Sequence, residues 1–237
     1  MDNLDHVGAS VIKIGTSSIL DEHGVSIDMH VLEHLADDVS QLWLNEGKRF
    51  AIVTSGAVAA GKKSDNEDER TAAGRGMPKL LGLYEDLFEK RGLGIAQLLI
   101  SSEQLSDHDD MRRLAQRIND WWNTRTVPII NENDPIARSS ATRGDNDSLS
   151  AEVAIHVSAQ TIVFMSIERE TSMGRGGADA KAAAMSKAES KGIRTMVVDG
   201  KAPHVIKGLF DGGNVLRKAL RDGEAIRSGN GRKISSV

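Results

Sequence analysis

Two lysines and a run of amides and carboxylates carry the chemistry this sequence offers. Lys13 lies in the apolar run "SVIKI" (10–14) and is followed by Gly15, Thr16, Ser17 and Ser18. A glycine there lets backbone N–H groups approach an anion, with the lysine as a point charge beside it. "VTSGAVAAG" (53–61) places Ser55 and Gly56 at a second strand end, before a helix of small residues that can pack close to a sheet. "NENDPIARSSATRGDNDSLS" (131–150) crowds in Asp134, Asp145, Asn146 and Asp147, which suit an ammonium ligand or a network that orients lysines. "GRGGADAK" (174–181) is a glycine-rich turn entering a helix, with Lys181 in its first turn. The helix dipole disfavours a cation there, so an anion is expected beside it. Such a set suits phosphoryl transfer, which needs alignment and positive charge spread along the transferred group more than covalent help. An aspartate between the lysines can fix their positions.

These stretches must be positioned by strands and helices in alternation. Strands are expected at "SVIKI" (10–14), "RFAIVT" (49–54), "LGIAQLL" (93–99), "TVPII" (126–130), "TIVFMS" (161–166) and "IRTMVV" (193–198). Amphipathic patterns lie between them. In "MHVLEHLADDVSQLWLNEG" (29–47), Val31, Leu35, Val39 and Leu42 share a face and Gly47 supplies the stop. "MPKLLGLYEDLFEKRG", "MRRLAQRINDWWN", "SLSAEVAIHVSA" and "ADAKAAAMSKAESKG" behave alike. The alternation predicts an α/β fold: an open, mainly parallel β-sheet sandwiched by helices. Each chemical stretch then falls at the carboxyl end of a strand, where open sheets bind ligands. Residues 1–237 read as one domain, with a mobile surface loop at about 62–76 and a polar tail at about 227–237.

Composition narrows the class. The chain has 237 residues, 39% hydrophobic and 27% charged, which is enough apolar side chain for a sizeable core. A net charge of −4 gives no support to a nucleic-acid partner. The absence of cysteine excludes disulfides, thiolate catalysis and cysteine-held metal. No apolar run reaches the roughly 18 residues of a membrane span, and "MDNLDH" is acidic and unlike a signal peptide, so a cytoplasmic protein is expected.

Two short patterns point elsewhere. "HVLEH" (30–34) fits the zinc-protease pattern H-x-x-E-H, but its flanks are ordinary amphipathic helix, and surface histidines are expected. "GAVAAGKK" (56–63) nearly matches a P-loop, but Lys63 replaces the Ser or Thr that holds magnesium, and "AVAA" favours helix over a phosphate-wrapping loop.

"VIKIGTSSIL", "VTSGAVAAG", "VPIINENDPIA", "GDNDSLSA" and "GRGGADAK", in that order over residues 9–225, resemble the amino acid kinase family, and within it the glutamate 5-kinase branch. That resemblance implies transfer of the ATP γ-phosphate to the side-chain carboxylate of L-glutamate, the first step toward proline. It implies ATP with Mg²⁺ held mainly by the nucleotide phosphates, with no metal site of the protein's own. A homo-oligomer (dimer or tetramer) and a downstream glutamyl phosphate reductase are implied too, with neither nucleic acid nor membrane as partner. Carried over by position, Lys13 and Lys181 neutralise the transferring group and Asp147 organises them. Ser55, Gly56, Asp134, Asp145 and Asn146 serve the amino acid. Lys13, Gly15, Ser166, Gly174, Gly176, Gly177 and Lys181 serve the nucleotide.

The departures are local. Where the family ends its fifth long strand in Thr-Asp, this chain has Ser166 and Ile167, and the connection on to the glycine turn is much shorter. Met77 stands where the family has glutamine. The RNA-binding-like accessory domain of many members is not expected in this sequence. The amino-acid half is thus expected intact and the nucleotide half altered. The alternative to a kinase is a degenerate homologue that binds an amino acid or a partner without catalysis.

Overall fold

Strand β1 (Ala9–Ile14) is buried along its whole length, and the polypeptide is arranged around it. The computed structural model describes residues 8–64, 66–136, 146–167 and 177–210. After β1 come α1 (Thr16–Ile19), α2 (Met29–Glu46), β2 (Arg49–Thr54), α3 (Ala57–Gly61), α4 (Glu69–Glu89), β3 (Gly94–Ile100), α5 (Ser102–Leu105) and α6 (His108–Asn123). They are followed by β4 (Thr126–Glu132), a 3₁₀ turn (Asp134–Ile136), α7 (Asn146–His156), β5 (Thr161–Ser166), α8 (Gly177–Glu189), β6 (Arg194–Asp199) and α9 (Val205–Phe210).

The six strands form one sheet in the order β3-β4-β2-β1-β5-β6, and every pairing is parallel. This bears out the expected α/β class. The chain leaves β1 toward β2 and later returns to its other side as β5. That reversal creates a crevice at the carboxyl ends of the central strands, the end where Lys13 sits. The inner strands carry apolar side chains on both faces, as a parallel sheet covered on both sides requires.

Helix boundaries follow local signals. Asp28 caps α2 by accepting from the His30 N–H at 3.1 Å, and Gly47 ends it in the left-handed region at φ 72°. Asp107 caps α6 through the N–H groups of Asp109 and Asp110. Behind α6, the Trp122 ring N–H donates to the Phe50 carbonyl at 2.9 Å, fixing the helix against β2.

Three expectations are corrected. Residues 69–76, read as part of a mobile loop, are the first turns of α4, capped by the Asp68 carboxylate on the Thr71 N–H at 2.9 Å. β4 runs two residues beyond "TVPII", so Asn131 and Glu132 are buried strand residues. His30 of the zinc-like pattern is exposed, but His34 is half-buried and packs edge-on against His204, with ring centroids 4.3 Å apart. No group of three or more potential ligands that could hold a metal occurs among the described residues. The P-loop-like stretch is helical, as its small residues predicted: it forms the five-residue α3 directly after Gly56.

The misread loop hides a close contact. A Cβ at Gly61 would overlap the Ala72 carbonyl oxygen, and one at Gly76 would overlap that of Ala57. α3 and α4 therefore touch backbone to backbone, which only glycine at both positions permits. Gly76→Ala should lower stability by about 1–3 kcal/mol, the range for overpacking. Gly82→Ala on the same helix meets open space and should raise stability by up to about 1 kcal/mol through helix propensity. Urea midpoints of the two variants check this; equal shifts would contradict the interlock.

Candidate active site

Lys13 projects from β1 and Asp147 from the first turn of α7, and the two meet as a buried ion pair at 2.8 Å. Lys181, on α8, lies 3.9 Å from the other Asp147 oxygen and donates to Ser166 Oγ, at the end of β5, at 3.2 Å. Three elements that the chain reaches far apart in sequence thus bring two ammonium groups to one carboxylate. The dipole of α7 favours Asp147 by only about 0.3–1 kcal/mol. Removing one partner of a buried ion pair costs about 3–5 kcal/mol, so the lysines dominate its placement. Within the trio two ammonium groups face one carboxylate where water has little access. An anion fits that field.

Beside this trio lies a second, neutral cluster. Asn146 Nδ2 donates toward Ser55 Oγ (2.9 Å), the Thr54 carbonyl (3.1 Å) and Asn131 Oδ1 (3.1 Å). Asn131 Oδ1 also accepts from the Glu132 N–H at 2.8 Å, which holds its amide in place. The Asn146 Oδ1 atom is buried and finds no donor among the described residues. A buried acceptor left unsatisfied costs about 1–3 kcal/mol, a cost that a ligand carrying an N–H donor would remove. Asp134 sits at the start of the 3₁₀ turn that follows β4, and burial pushes its carboxyl above the usual carboxylate range. A cationic group from a ligand is the natural complement to both acceptors.

The turns that frame the clusters use backbone bonds. Gly15 N–H donates to the Met165 carbonyl at 3.1 Å, and Ser18 Oγ donates to the same oxygen at 3.1 Å, so the first turn is anchored to β5. Gly15 is extended (φ −76°) and its N–H is engaged; its value here is in this anchoring. Gly56 needs to be glycine: its φ is 100°, and a Cβ would overlap Ile19.

The structure therefore gathers Lys13, Lys181, Asp147 and Ser166 into one group and Ser55, Asn146 and the Gly56 turn into the next. Gly177 opens α8. Asp145, Gly174 and Gly176 lie outside the described residues. Two residues escaped the sequence reading. Asn131 could have been found as an amide closing an apolar strand run, whereas Thr54, an ordinary strand residue, gave no signal.

The sequence model of the "Amino acid kinase family" matches residues 9–169. Among curated proteins, the glutamate 5-kinase of Chromobacterium violaceum is 29% identical over 243 residues, covering 85% of this chain and 65% of that protein. The glutamate 5-kinase of Gloeobacter violaceus is 30% identical over 244 residues, covering 86% and 66%. The chain thus spans about 65% of the length of these relatives. Among solved structures, the isopentenyl phosphate kinase of T. acidophilum superposes with a TM-score of 0.60 at 15% identity, covering 86% of this chain and 96% of that one. UMP kinase from Ureaplasma parvum gives 0.55 at 16%, covering 87% and 96%. These two likenesses speak for the fold.

Because the folded pKa of Asp134 is raised, its protonated form is the one the native state favours. Its contribution to stability is present below the unfolded carboxyl pKa and lost as pH rises through the folded one. At neutral pH without ligand, Asp134→Asn should therefore raise the melting temperature, and the gain should shrink as pH falls toward about 4. Melting curves between pH 4 and 8 check the sign; a gain that grows toward acid would reverse the assignment.

Proposed function

The chain belongs to the amino acid kinase family, and from that premise we propose that it transfers the γ-phosphoryl group of ATP to the side-chain carboxylate of L-glutamate. The observation that carries this reading is the Lys13–Asp147–Lys181 trio standing beside the unsatisfied Asn146 Oδ1. The first suits an anion in transfer, and the second suits an amino group.

In this reading a glutamate carboxylate oxygen forms the new bond to phosphorus while the bond to the ADP oxygen breaks. The Lys13 and Lys181 ammonium groups lie against the phosphoryl oxygens, whose negative charge is spread in the transition state. Asp147 holds the two lysines at a fixed spacing. Asp134 and Asn146 Oδ1 accept from the substrate ammonium, and Ser55 keeps the Asn146 amide turned. Magnesium would arrive with the nucleotide and be held mainly by its phosphates.

A second reading, binding without catalysis, draws on one observation. The family match stops at residue 169, shortly after β5. The Chromobacterium alignment runs over 243 residues yet uses 85% of the 237 here, so about 40 positions of that relative have no counterpart. Both lysines and Asp147 nevertheless remain in place. A protein that only binds an amino acid has no need of them.

L-Glutamate at a hundredfold excess over its dissociation constant should stabilise the fold by about 2.7 kcal/mol, and γ-glutamyl phosphate should form when ATP and Mg²⁺ are added. Lys13→Ala and Lys181→Ala should each cut turnover by at least about a hundredfold while glutamate affinity stays near wild type, because their charge is needed most in the transition state. Glutamate binding without product under any donor would favour the second reading.

The altered segment after β5 leads to a further expectation about the donor. If the phosphates supply most of the nucleotide affinity, kcat/KM for ATP, GTP and CTP should agree within about tenfold. Parallel steady-state assays decide this. An ATP preference above about a hundredfold, or about 2.7 kcal/mol, would show that another segment holds the adenine.

A further inference from the structure

Tyr84 is the only tyrosine in the chain, and it is fully enclosed at 1% exposure on α4. Its hydroxyl lies 2.9 Å from Thr54 Oγ1. The single Thr54 hydroxyl proton is directed to the Ser55 carbonyl at 3.0 Å. Tyr84 must therefore be the donor of the pair, and burial pushes its phenol up so that it keeps that proton. The chain of hydrogen bonds has one direction: Tyr84 O–H to Thr54 Oγ1, then Thr54 O–H to the Ser55 oxygen.

The far end of this chain is the neutral cluster of the site. The Thr54 carbonyl and Ser55 Oγ receive Asn146 Nδ2. A carbonyl can only accept, which fixes the nitrogen end of the Asn146 amide there and turns Oδ1 the other way, to the position that lacks a donor. The Tyr84 ring stacks on Phe88 in the hydrophobic core, with centroids 6.4 Å apart. A phenylalanine would satisfy that packing equally. The hydroxyl answers to something else.

We propose that Tyr84, acting through Thr54, is a positioning residue for the acceptor side of the site: it sets the Ser55–Gly56 turn and through it the orientation of the Asn146 amide. The identity of the ligand, L-glutamate, rests on the function proposed above; the relay itself does not. The contact between Gly61 and Gly76 supports the assignment, because it locks α4 to the helix that follows the turn.

Three variants test it. Tyr84→Phe removes only the donor, Thr54→Val removes the hydroxyl with its shape kept, and Thr54→Ser retains it. Tyr84→Phe and Thr54→Val should each weaken L-glutamate about tenfold in calorimetry and in KM, the worth of one net hydrogen bond, with kcat within about threefold. Thr54→Ser should stay near wild type, and the double variant should be no worse than either single. Additive effects, or a lowered melting temperature with unchanged glutamate affinity, would overturn the proposal.

A second measurement needs no activity. Replacing tyrosine with 3-fluorotyrosine labels residue 84 alone. Its fluorine resonance should move in Asn146→Ala, two hydrogen bonds away. It should stay put in Lys201→Ala, whose partners Leu20 and Asp28 lie outside the relay. A resonance indifferent to Asn146→Ala would also overturn the relay. If the wild type ignores glutamate while the resonance still moves, the substrate reading fails and the relay stands.

Discussion

Two ammonium groups brought to one carboxylate where water scarcely reaches are the constraint on which the rest of this structure depends. Lys13 is 7% exposed and Asp147 6%, and Lys181 reaches the same carboxylate at 3.9 Å. Burying charged groups costs several kcal/mol per ion even after the protein relaxes. Such an arrangement persists only in a scaffold rigid enough to hold it, and it becomes favourable when an anion completes it. The scaffold here is a parallel sheet whose strands β1 and β5 are buried along their whole length. β1 delivers Lys13, β5 delivers Ser166 beneath Lys181, and α7 delivers Asp147 across the switch in strand order.

The neutral cluster obeys a different economy. Its members are short side chains and backbone carbonyls, each satisfied by the next, so the position of every atom follows from its neighbours. Asn131 is fixed by the Glu132 N–H, and Asn146 by Asn131, Thr54 and Ser55. One acceptor is left over. Geometry of this kind discriminates among ligands by hydrogen-bond count, whereas the lysine trio discriminates by charge. Placing the two side by side suits a ligand with an ammonium group at one end and a developing phosphate at the other.

Much of this was legible in the sequence. The six strands came from apolar runs bounded by turn residues, and five of the six have an end within one residue of the expected one at both sides. Lys13, Asp147 and Lys181 stood out because charged residues at strand ends and helix starts need a reason. The α4 start was missed because "NEDERTAAGRG" is polar and glycine-bearing, and the helix there is held by contact with α3 rather than by an apolar stripe. Asn131 was assigned to a loop because Asn favours turns, while its buried bonds within the site outweigh that propensity. Thr54 and Tyr84 could not be found by pattern at all. Their relation is a distance between side chains thirty residues apart, and no local rule encodes it.

The sheet order has a consequence for how the molecule comes into being. β1 pairs with β2 within about forty residues, but its other neighbour, β5, is some 150 residues away: Ser10 faces Phe50 of β2 and Thr161 of β5. Parallel pairings of such separation form slowly, because loop closure precedes any reward. During synthesis at about 5–20 residues per second, one edge of β1 therefore stays unpaired for many seconds after β2 has docked. In that interval Lys13 has neither Asp147 nor Lys181 beside it, and the half-sheet presents an open apolar edge of the kind that recruits other chains. The charged trio is therefore among the last features to assemble.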